Sequence, residues 1–221
     1  MLEKYKADYY KTPWEEIETE TKQIVKEYLE KAYPQQVRNT ARFVSLSDNM
    51  QQNALQLLQY IHAEQNASSF RPIAFEKSIS FDSDIKPLTI TLDDGSRVSI
   101  VGVCDRIDAM EKDGRNYIRI VDYKTGTKKF DLNDVMHGLN MQMLLYLFAI
   151  KANGGERYGN VVPAGVLYVP AKSASGRIGR DVTKDKLEAD VIKEGRMSGI
   201  LLDDERVAFF PSGYKRSLAY G

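Results

Sequence analysis

The feature that most constrains the fold is the dipeptide Asp113-Gly114, which lies between two stretches of alternating apolar and polar residues. Asp-Gly is typical of a two-residue β-hairpin turn, because both positions accept the left-handed backbone that such a turn requires. The stretches at 97–110 and 117–123 are therefore predicted to be neighbouring antiparallel strands. In a hairpin of this kind, residues equidistant from the turn face each other.

This register places Asp105 opposite Asp122 and Val103 opposite Lys124, near the end of the hairpin that is farthest from the turn. Side chains alternate between the two faces of a strand, so the aspartates share their face with the residues two and four positions nearer the turn. Those residues are all apolar: Ile107 opposite Ile120, and Ala109 opposite Ile118. One face of the hairpin is thus predicted to be apolar with a charged end.

The other face carries charged residues at the same level. The register places Asp108 opposite Arg119, and Arg106 opposite Val121. Opposite charges at facing positions stabilise a hairpin, so they support the register independently. We predict a cross-strand ion pair on a face that solvent can reach.

Two facing carboxylates on an apolar face, with Cβ atoms about 4.5–5.5 Å apart, repel each other unless a cation or a proton lies between them. Mg²⁺ suits such a site, because it prefers oxygen ligands and retains several waters. Lys124 lies on the same face, and the backbone carbonyl of Tyr123 could supply another oxygen. The hairpin therefore predicts a metal site with a lysine beside it, and a buried Asp105–Lys124 salt bridge is the alternative.

Periodicity assigns most of the remaining chain. A threonine, a proline and a glutamate (Thr12, Pro13 and Glu15) form a predicted capping box for the first long helix. The predicted helices are 13–32, a second that starts after Ser47 and continues through His62, 133–152 and 184–195. The predicted strands outside the hairpin are 73–81, 88–92 and 161–169, with a loop at 172–180 and a three-strand meander through 88–123.

Composition narrows the class of protein. No apolar run approaches the length of about 20 residues that a membrane-spanning helix needs, and the first residues lack the pattern of a secretory signal, so a cytoplasmic protein is expected. The single cysteine, Cys104, excludes an internal disulfide and is predicted to be a small buried side chain. Equal numbers of basic and acidic residues, 31 of each, disfavour a protein that coats nucleic acid nonspecifically.

Three motifs occur in one order: Gly102-Val-Cys-Asp105-Arg106-Ile-Asp108, Val121-Asp122-Tyr-Lys124-Thr-Gly126 and Gln142-Met-Leu-Leu-Tyr146. Together they resemble the PD-(D/E)XK nucleases of the RecB class, and residues 73–170 are most similar to the nuclease domain of AddB-like subunits of helicase–nuclease complexes. The resemblance implies an α/β (α+β) fold with a restriction-endonuclease-like core. That core is a central mixed sheet with a β-meander, flanked by helices.

The resemblance also implies roles for individual residues. The positions matching Asp105 and Asp122 bind Mg²⁺ or Mn²⁺, and the position matching Lys124 is catalytic. Those matching Gln142 and Tyr146 support the site, and their spacing of four residues puts both on one helix face, toward the DNA backbone. We expect Lys128 and Lys129, which follow the second motif, to contact DNA phosphates.

Two features of the resembling proteins are missing. They carry an upstream metal-binding histidine and four cysteines for an iron–sulfur cluster, and neither His62 nor His137 has the expected context. We therefore expect one nuclease domain, 1–221, excised from a longer chain that alone would hold the cluster. Its parts would be N-terminal helices at 1–70, a catalytic core at 71–170 and a C-terminal extension at 171–221. Such a fragment is expected to cut DNA poorly or not at all in isolation.

These observations lead to two hypotheses about function, one for an enzyme and one for a noncatalytic module. The first is a metal-dependent DNA exonuclease domain that acts in double-strand-break repair and recombination beside an AddA-like helicase–nuclease subunit. The second is a noncatalytic DNA-binding or scaffolding module that keeps the nuclease-like fold. Retention of Asp105, Asp122 and Lys124 favours the first.

Overall fold

The computed structural model describes residues 2–124, 130–171 and 197–202. The chain forms two compact units. One comprises Met1–Asn66, Lys124–Thr127 and Pro170–Arg196, and the other comprises Ala67–Tyr123, Lys128–Val169 and Met197–Gly221. The predicted loop at 172–180 and helix at 184–195 lie outside the described residues, and the single-domain organisation stays a prediction.

The first unit consists of helices where it is described. They are α1 (Leu2–Tyr5), a 3₁₀ helix (Lys6–Lys11), α2 (Trp14–Ala32), α3 (Gln35–Arg38) and α4 (Ala41–Ala67). The predicted end of α2 at Ala32 is confirmed, and the helix begins one residue later than predicted, with Pro13 at the N-cap. Its buried residues Ile17, Thr21 and Leu29 share one face of the helix. The predicted capping box is wrong, because no side chain caps α2 and the Thr12 hydroxyl instead donates to the carbonyl of Asp8 at 3.4 Å.

Where it is described, the second unit contains two β-sheets. The larger has the strand order β1-β4-β5-β6-β7 and the smaller pairs β2 with β3. The strands are β1 (Arg71–Ile79), β2 (Leu88–Thr91), β3 (Arg97–Ile100), β4 (Gly102–Lys112), β5 (Arg115–Lys124), β6 (Val161–Pro170) and β7 (Ser198–Leu201). β4 runs antiparallel to both β1 and β5, and β6 runs antiparallel to β7.

Three short or medium helices lie between β5 and β6: α5 (Leu132–Met136), α6 (Gln142–Asn153) and α7 (Gly155–Tyr158). The predicted helix at 133–152 is therefore two helices. The break falls where Gly138 and Asn140 adopt the left-handed backbone, with φ of 76° and 55°. That conformation cannot continue a right-handed helix.

The predicted strand at 97–110 is also two strands, because Val101 separates β3 from β4. β3 pairs with β2 in the small sheet, whereas β4 enters the large sheet between β1 and β5. The continuous three-strand meander is therefore wrong, although both of its hairpins, β2–β3 and β4–β5, form in separate sheets. The mixed sheet with flanking helices is confirmed.

The main core lies between the apolar face of the β4–β5 hairpin and α6. The hairpin contributes Ile107, Ile118 and Ile120, and α6 contributes Met143 and Leu147, all buried. Burying each of these side chains contributes on the order of 1.5–3 kcal/mol. The predicted apolar face is confirmed, and it anchors the hairpin whose far end carries the aspartates.

No helix among the described residues is long and apolar enough to cross a membrane.

Candidate active site

The β4–β5 hairpin sets the positions of both aspartates. Asp113 and Gly114 have φ of 52° and 69°, as the predicted turn requires. From that turn the paired residues follow the predicted register as far as Arg106 opposite Val121. The next positions in the same register are Asp105 and Asp122.

Regular pairing of β4 with β5 ends beside Asp105, whereas the register of β4 with β1 is the same before and after it. Toward β5, the pairs of the described residues begin with Arg106, and the backbone N–H of Tyr123 donates to Asp105 Oδ2 at 2.9 Å. Toward β1, the register passes from Arg106 to Cys104, and the residue opposite Asp105 is Glu76, whose φ of 46° is left-handed. Non-glycine residues in this region are uncommon and are found preferentially at functional sites.

The pKa of the Cys104 thiol is affected by the neighbouring aspartates. Its side chain is 2% exposed, which confirms the predicted burial. Burial, together with the smaller effect of the negative charges of Asp105 and Asp122, raises the pKa of the Cys104 thiol to about 12. Both carboxylates therefore lie close enough to one buried atom to act on it together.

The donor set fits a hard divalent ion. The two carboxylates and the Tyr123 carbonyl offer only oxygen, which Mg²⁺ and Mn²⁺ accept, and Asp105 commits one of its oxygens to Tyr123. No group of three or more histidine, cysteine, aspartate or glutamate side chains that could hold a metal occurs among the described residues. Water would therefore have to complete the coordination in this part of the chain.

The two histidines bond to backbone carbonyls. His62 Nε2 lies 3.2 Å from the carbonyl of Thr12, and its ring contacts Tyr9 edge-on at 5.7 Å. His137 Nδ1 lies 2.8 Å from the carbonyl of Asn133. Each histidine therefore binds a backbone carbonyl within its own unit.

Lys124 is the last residue of β5 and is half-buried. Its backbone carbonyl accepts a hydrogen bond from the N–H of Ala171 at 2.9 Å, which fixes the end of the strand. Lys128 and Lys129, the predicted phosphate contacts, lie outside the described residues.

Gln142 and Tyr146 share one face of α6, as predicted from their spacing. Gln142 Nε2 donates to the Tyr146 hydroxyl at 2.6 Å, and that hydroxyl lies 3.4 Å from the carbonyl of Val101. Tyr146 is 4% exposed, whereas Gln142 is exposed. The tyrosine fits because Gly102 lacks a side chain: a Cβ there would lie 1.7 Å from the hydroxyl oxygen.

The face opposite the aspartates holds a buried ion network rather than the predicted solvent-accessible pair. Arg106 and Asp108 are 0% exposed and Arg119 is 4% exposed. Asp108 Oδ1 lies 2.8 Å from Arg106 Nε, and Asp108 Oδ2 accepts from both arginines at 2.9 Å. The predicted pairing of Asp108 with Arg119 is confirmed, but its exposure is wrong.

Two aromatic side chains, those of Phe70 and Tyr123, lie against the buried arginines. The Arg119 guanidinium lies 4.5 Å from the centre of the Phe70 ring, and Arg106 Nη1 donates to the Tyr123 hydroxyl at 3.0 Å. Burial alone would raise the pKa of Asp108, but Arg106 and Arg119 outweigh that effect and hold this pKa below its ordinary value. The carboxylate is therefore charged at neutral pH.

Sequence reasoning missed this network, although a signal was present. The same face also carries Met110, Tyr117 and Val121, all buried. Large apolar residues on both faces are typical of a central strand covered on both sides. Charged residues on such a face must pair with each other when they are buried.

Comparison with known proteins agrees with this geometry. A family model described as the PD-(D/E)XK nuclease superfamily matches residues 1–208. Three relatives are each named as a subunit of an ATP-dependent helicase/deoxyribonuclease. The protein of Caldanaerobacter subterraneus subsp. tengcongensis is 31% identical over 194 residues, which is 86% of this chain and 17% of the relative.

The relative from Clostridium acetobutylicum is 41% identical over 149 residues, covering 66% of this chain and 13% of the relative. The relative from Clostridium botulinum (strain Loch Maree / Type A3) is 30% identical over 207 residues, covering 93% of this chain and 18% of the relative. The chain thus spans less than a fifth of these relatives. The family match extends through the β4–β5 hairpin, the aspartates at its end and α6, and on that basis the chain belongs to the PD-(D/E)XK nuclease superfamily.

Proposed function

We propose that this chain is the metal-dependent deoxyribonuclease domain of an AddB-like helicase/deoxyribonuclease subunit, acting as a DNA exonuclease. The observation that carries the proposal is the hairpin register, which is regular as far as Arg106 opposite Val121 and, continued by one position, puts Asp105 opposite Asp122. The hydrogen bond from Tyr123 to Asp105 and the effect of both carboxylates on Cys104 support it.

In this proposal Asp105, Asp122 and the Tyr123 carbonyl hold Mg²⁺ or Mn²⁺. When bound, the ion supplies a Lewis acid for the phosphodiester and lowers the pKa of a coordinated water. The chain's own contribution is to hold both carboxylates at the end of the β4–β5 hairpin, where the backbone N–H of Tyr123 binds Asp105 Oδ2. Lys124, two residues after Asp122 on the same strand face, offsets negative charge that develops on the phosphate during cleavage.

The remaining predicted residues bind the substrate. Gln142 is exposed at the start of α6, and its amide is oriented by the Tyr146 hydroxyl, so it suits a DNA phosphate or sugar oxygen. Tyr146 acts through Gln142, because its own hydroxyl is buried. Lys128 and Lys129 add phosphate contacts that would weaken with salt.

The wider context follows from the relatives, whose name includes a helicase and a deoxyribonuclease. We infer that the domain works on DNA beside an AddA-like subunit in the cytoplasm, in double-strand-break repair and recombination. An iron–sulfur cluster would belong to the longer protein only. Cleavage is therefore best measured in the full-length polypeptide, and metal binding in this chain.

Calorimetric titration with Mn²⁺ tests the site directly. Asp105→Asn and Asp122→Asn preserve side-chain shape but remove the charge, so each should weaken Mn²⁺ binding at least about tenfold. Asp113→Asn is the matched control, because it removes one aspartate from the turn of the same hairpin, where asparagine tolerates the backbone. Equal binding by the wild type and the Asp105→Asn, Asp122→Asn double variant would refute the metal site.

Cleavage by the full-length protein tests the reaction. Lys124→Met should slow Mg²⁺-dependent cleavage at least about a hundredfold while DNA binding changes little, since the ammonium acts on charge that develops in the transition state. Lys112→Met, at the turn end of β4, should leave the rate unchanged. If the wild-type protein binds DNA and metal yet cuts no substrate, the noncatalytic scaffolding function replaces this proposal.

A further inference from the structure

The buried ion network ends within one residue of each proposed metal ligand. Arg106 follows Asp105 in β4, and Tyr123 follows Asp122 in β5. Arg106 Nη1 donates to the Tyr123 hydroxyl at 3.0 Å, across the two strands. Because Arg106 pairs with Val121, this bond runs diagonally to the residue two positions beyond its partner.

Tyr123 is thereby held at two points. Its hydroxyl accepts from Arg106 on one face of the sheet, and its backbone N–H donates to Asp105 Oδ2 at 2.9 Å. Together with the peptide that joins Asp105 to Arg106, these two bonds close a ring through both strands. The ring lies where the regular pairs end, so it replaces strand pairing at the level of the carboxylates.

Arg106 is itself held rigidly. Its Nη2 donates to Asp108 Oδ2 at 2.9 Å, its Nε lies 2.8 Å from Asp108 Oδ1 as an ion pair, and Arg119 Nε donates to the same Oδ2 from β5. Charge-assisted contacts of this kind hold a guanidinium in position. Stability alone does not explain the network, since well-packed apolar residues often stabilise a core as well as buried ion pairs do.

We propose that Arg106, braced by Asp108 and Arg119, is a positioning residue that acts through Tyr123 to set the place of the Asp105 carboxylate relative to Asp122. It does not touch metal or DNA. In the metal site of the proposed function, on which this inference rests, loss of the bond would leave both ligands present but misplaced. Partners that orient metal ligands from outside the coordination sphere affect affinity in this way.

Tyr123→Phe is the sharpest test, because it removes one hydroxyl and keeps the ring. Arg106→Ala would strand Asp108 in the interior and could prevent folding. Tyr117→Phe is the matched control: Tyr117 is buried on the same face of the same strand, six residues nearer the turn. Both variants should unfold in urea at midpoints close to each other.

The first readout is Mn²⁺ affinity by calorimetry. Tyr123→Phe should weaken binding roughly tenfold, the lower end of the effect of losing an outer partner, and Tyr117→Phe should leave it unchanged. Equal affinity of Tyr123→Phe and wild type would overturn the proposal. So would a loss of affinity that Tyr117→Phe matches, because the hydroxyl at 123 would then have no special role.

The second readout needs no metal. Hydrogen exchange measured by NMR should show the amide of residue 123 exchanging at least several-fold faster in Tyr123→Phe, with the amides of Ile118 and Ile120 unchanged. If wild type itself binds no Mn²⁺, the proposed function fails, and this exchange rate alone decides the positioning role. Unchanged exchange at residue 123 would then overturn it.

Discussion

Replacing Gly102 with alanine would place a methyl group inside the space that Tyr146 occupies. The added Cβ would lie 1.7 Å from the hydroxyl oxygen and 2.4 Å from Cζ, and real Cβ contacts are essentially never shorter than 3.0 Å. Tyr146 is 4% exposed and its hydroxyl is bonded to Gln142. The ring can relieve the clash only by moving within a packed core.

The magnitude follows from two opposing effects. A Gly→Ala change at a relaxed backbone position stabilises a protein by about 0.4–1 kcal/mol, because it restricts the unfolded chain. Forcing extra volume into a packed core costs about 1–3 kcal/mol. Since φ of Gly102 is not in the left-handed region, no backbone strain adds to this. The clash dominates, and we expect Gly102→Ala to lower the free energy of unfolding by about 1–2 kcal/mol.

Urea unfolding followed by circular dichroism measures the change. Gly155→Ala is the control, because a Cβ at Gly155 meets no atom within 4 Å. In a Tyr146→Phe background the nearest atom is gone while the ring carbon at 2.4 Å stays, so the cost of Gly102→Ala should fall but not vanish. The reasoning is refuted if Gly102→Ala unfolds at the same urea concentration as Gly155→Ala, or if Tyr146→Phe leaves its cost unchanged.

Two further changes test other parts of the fold. A hydrogen bond from Lys77 lowers the pKa of Asp84, so the pair stabilises the fold above about pH 4 and loses that effect as pH falls through the lowered pKa. Asp84→Asn should therefore lower the free energy of unfolding by no more than about 0.5 kcal/mol at pH 7, because solvent screens this partly exposed pair. Near pH 2 the same substitution should have no effect on the free energy of unfolding. An equal cost at both pH values would contradict this linkage. Gly114→Ala should lower the free energy of unfolding by about 1–2 kcal/mol through the backbone strain of its φ of 69° alone, since no atom lies within 4 Å of its Cβ position. A decrease no larger than that caused by Asp113→Asn would exclude the left-handed turn.

Local sequence was enough to predict the elements whose shape is set by near neighbours. The turn at Asp113-Gly114 fixes the register of β4 with β5, and the 3.6-residue period predicts the bounds of α2 to within one residue. The same register, continued one position beyond Arg106 and Val121, is the basis for predicting that Asp105 faces Asp122. The register itself was predicted correctly because turn chemistry and alternation act over a few residues.

The errors concern contacts between elements that are distant in the chain. The break at Val101 accompanies the insertion of Tyr146 against Gly102, more than forty residues away along the chain. The burial of Arg119 depends on Phe70, which precedes β1. The apolar residues Met110, Tyr117 and Val121 on that face indicated burial, but the sequence could not show which distant residues cover it.

The sequence by itself thus determined the register of a hairpin whose continuation predicts two facing aspartates, and a helix that presents Gln142 and Tyr146 together. Only the tertiary structure decided that the charged side of that hairpin is buried as well as the apolar side, and that Arg106, through Tyr123, reaches the residue that binds Asp105. The alternation of side chains along a strand determines which of them share a face, but the burial of that face depends on which other parts of the chain pack against it. That depends on the whole chain, because a buried charge is tolerated only where folding brings its partners to it.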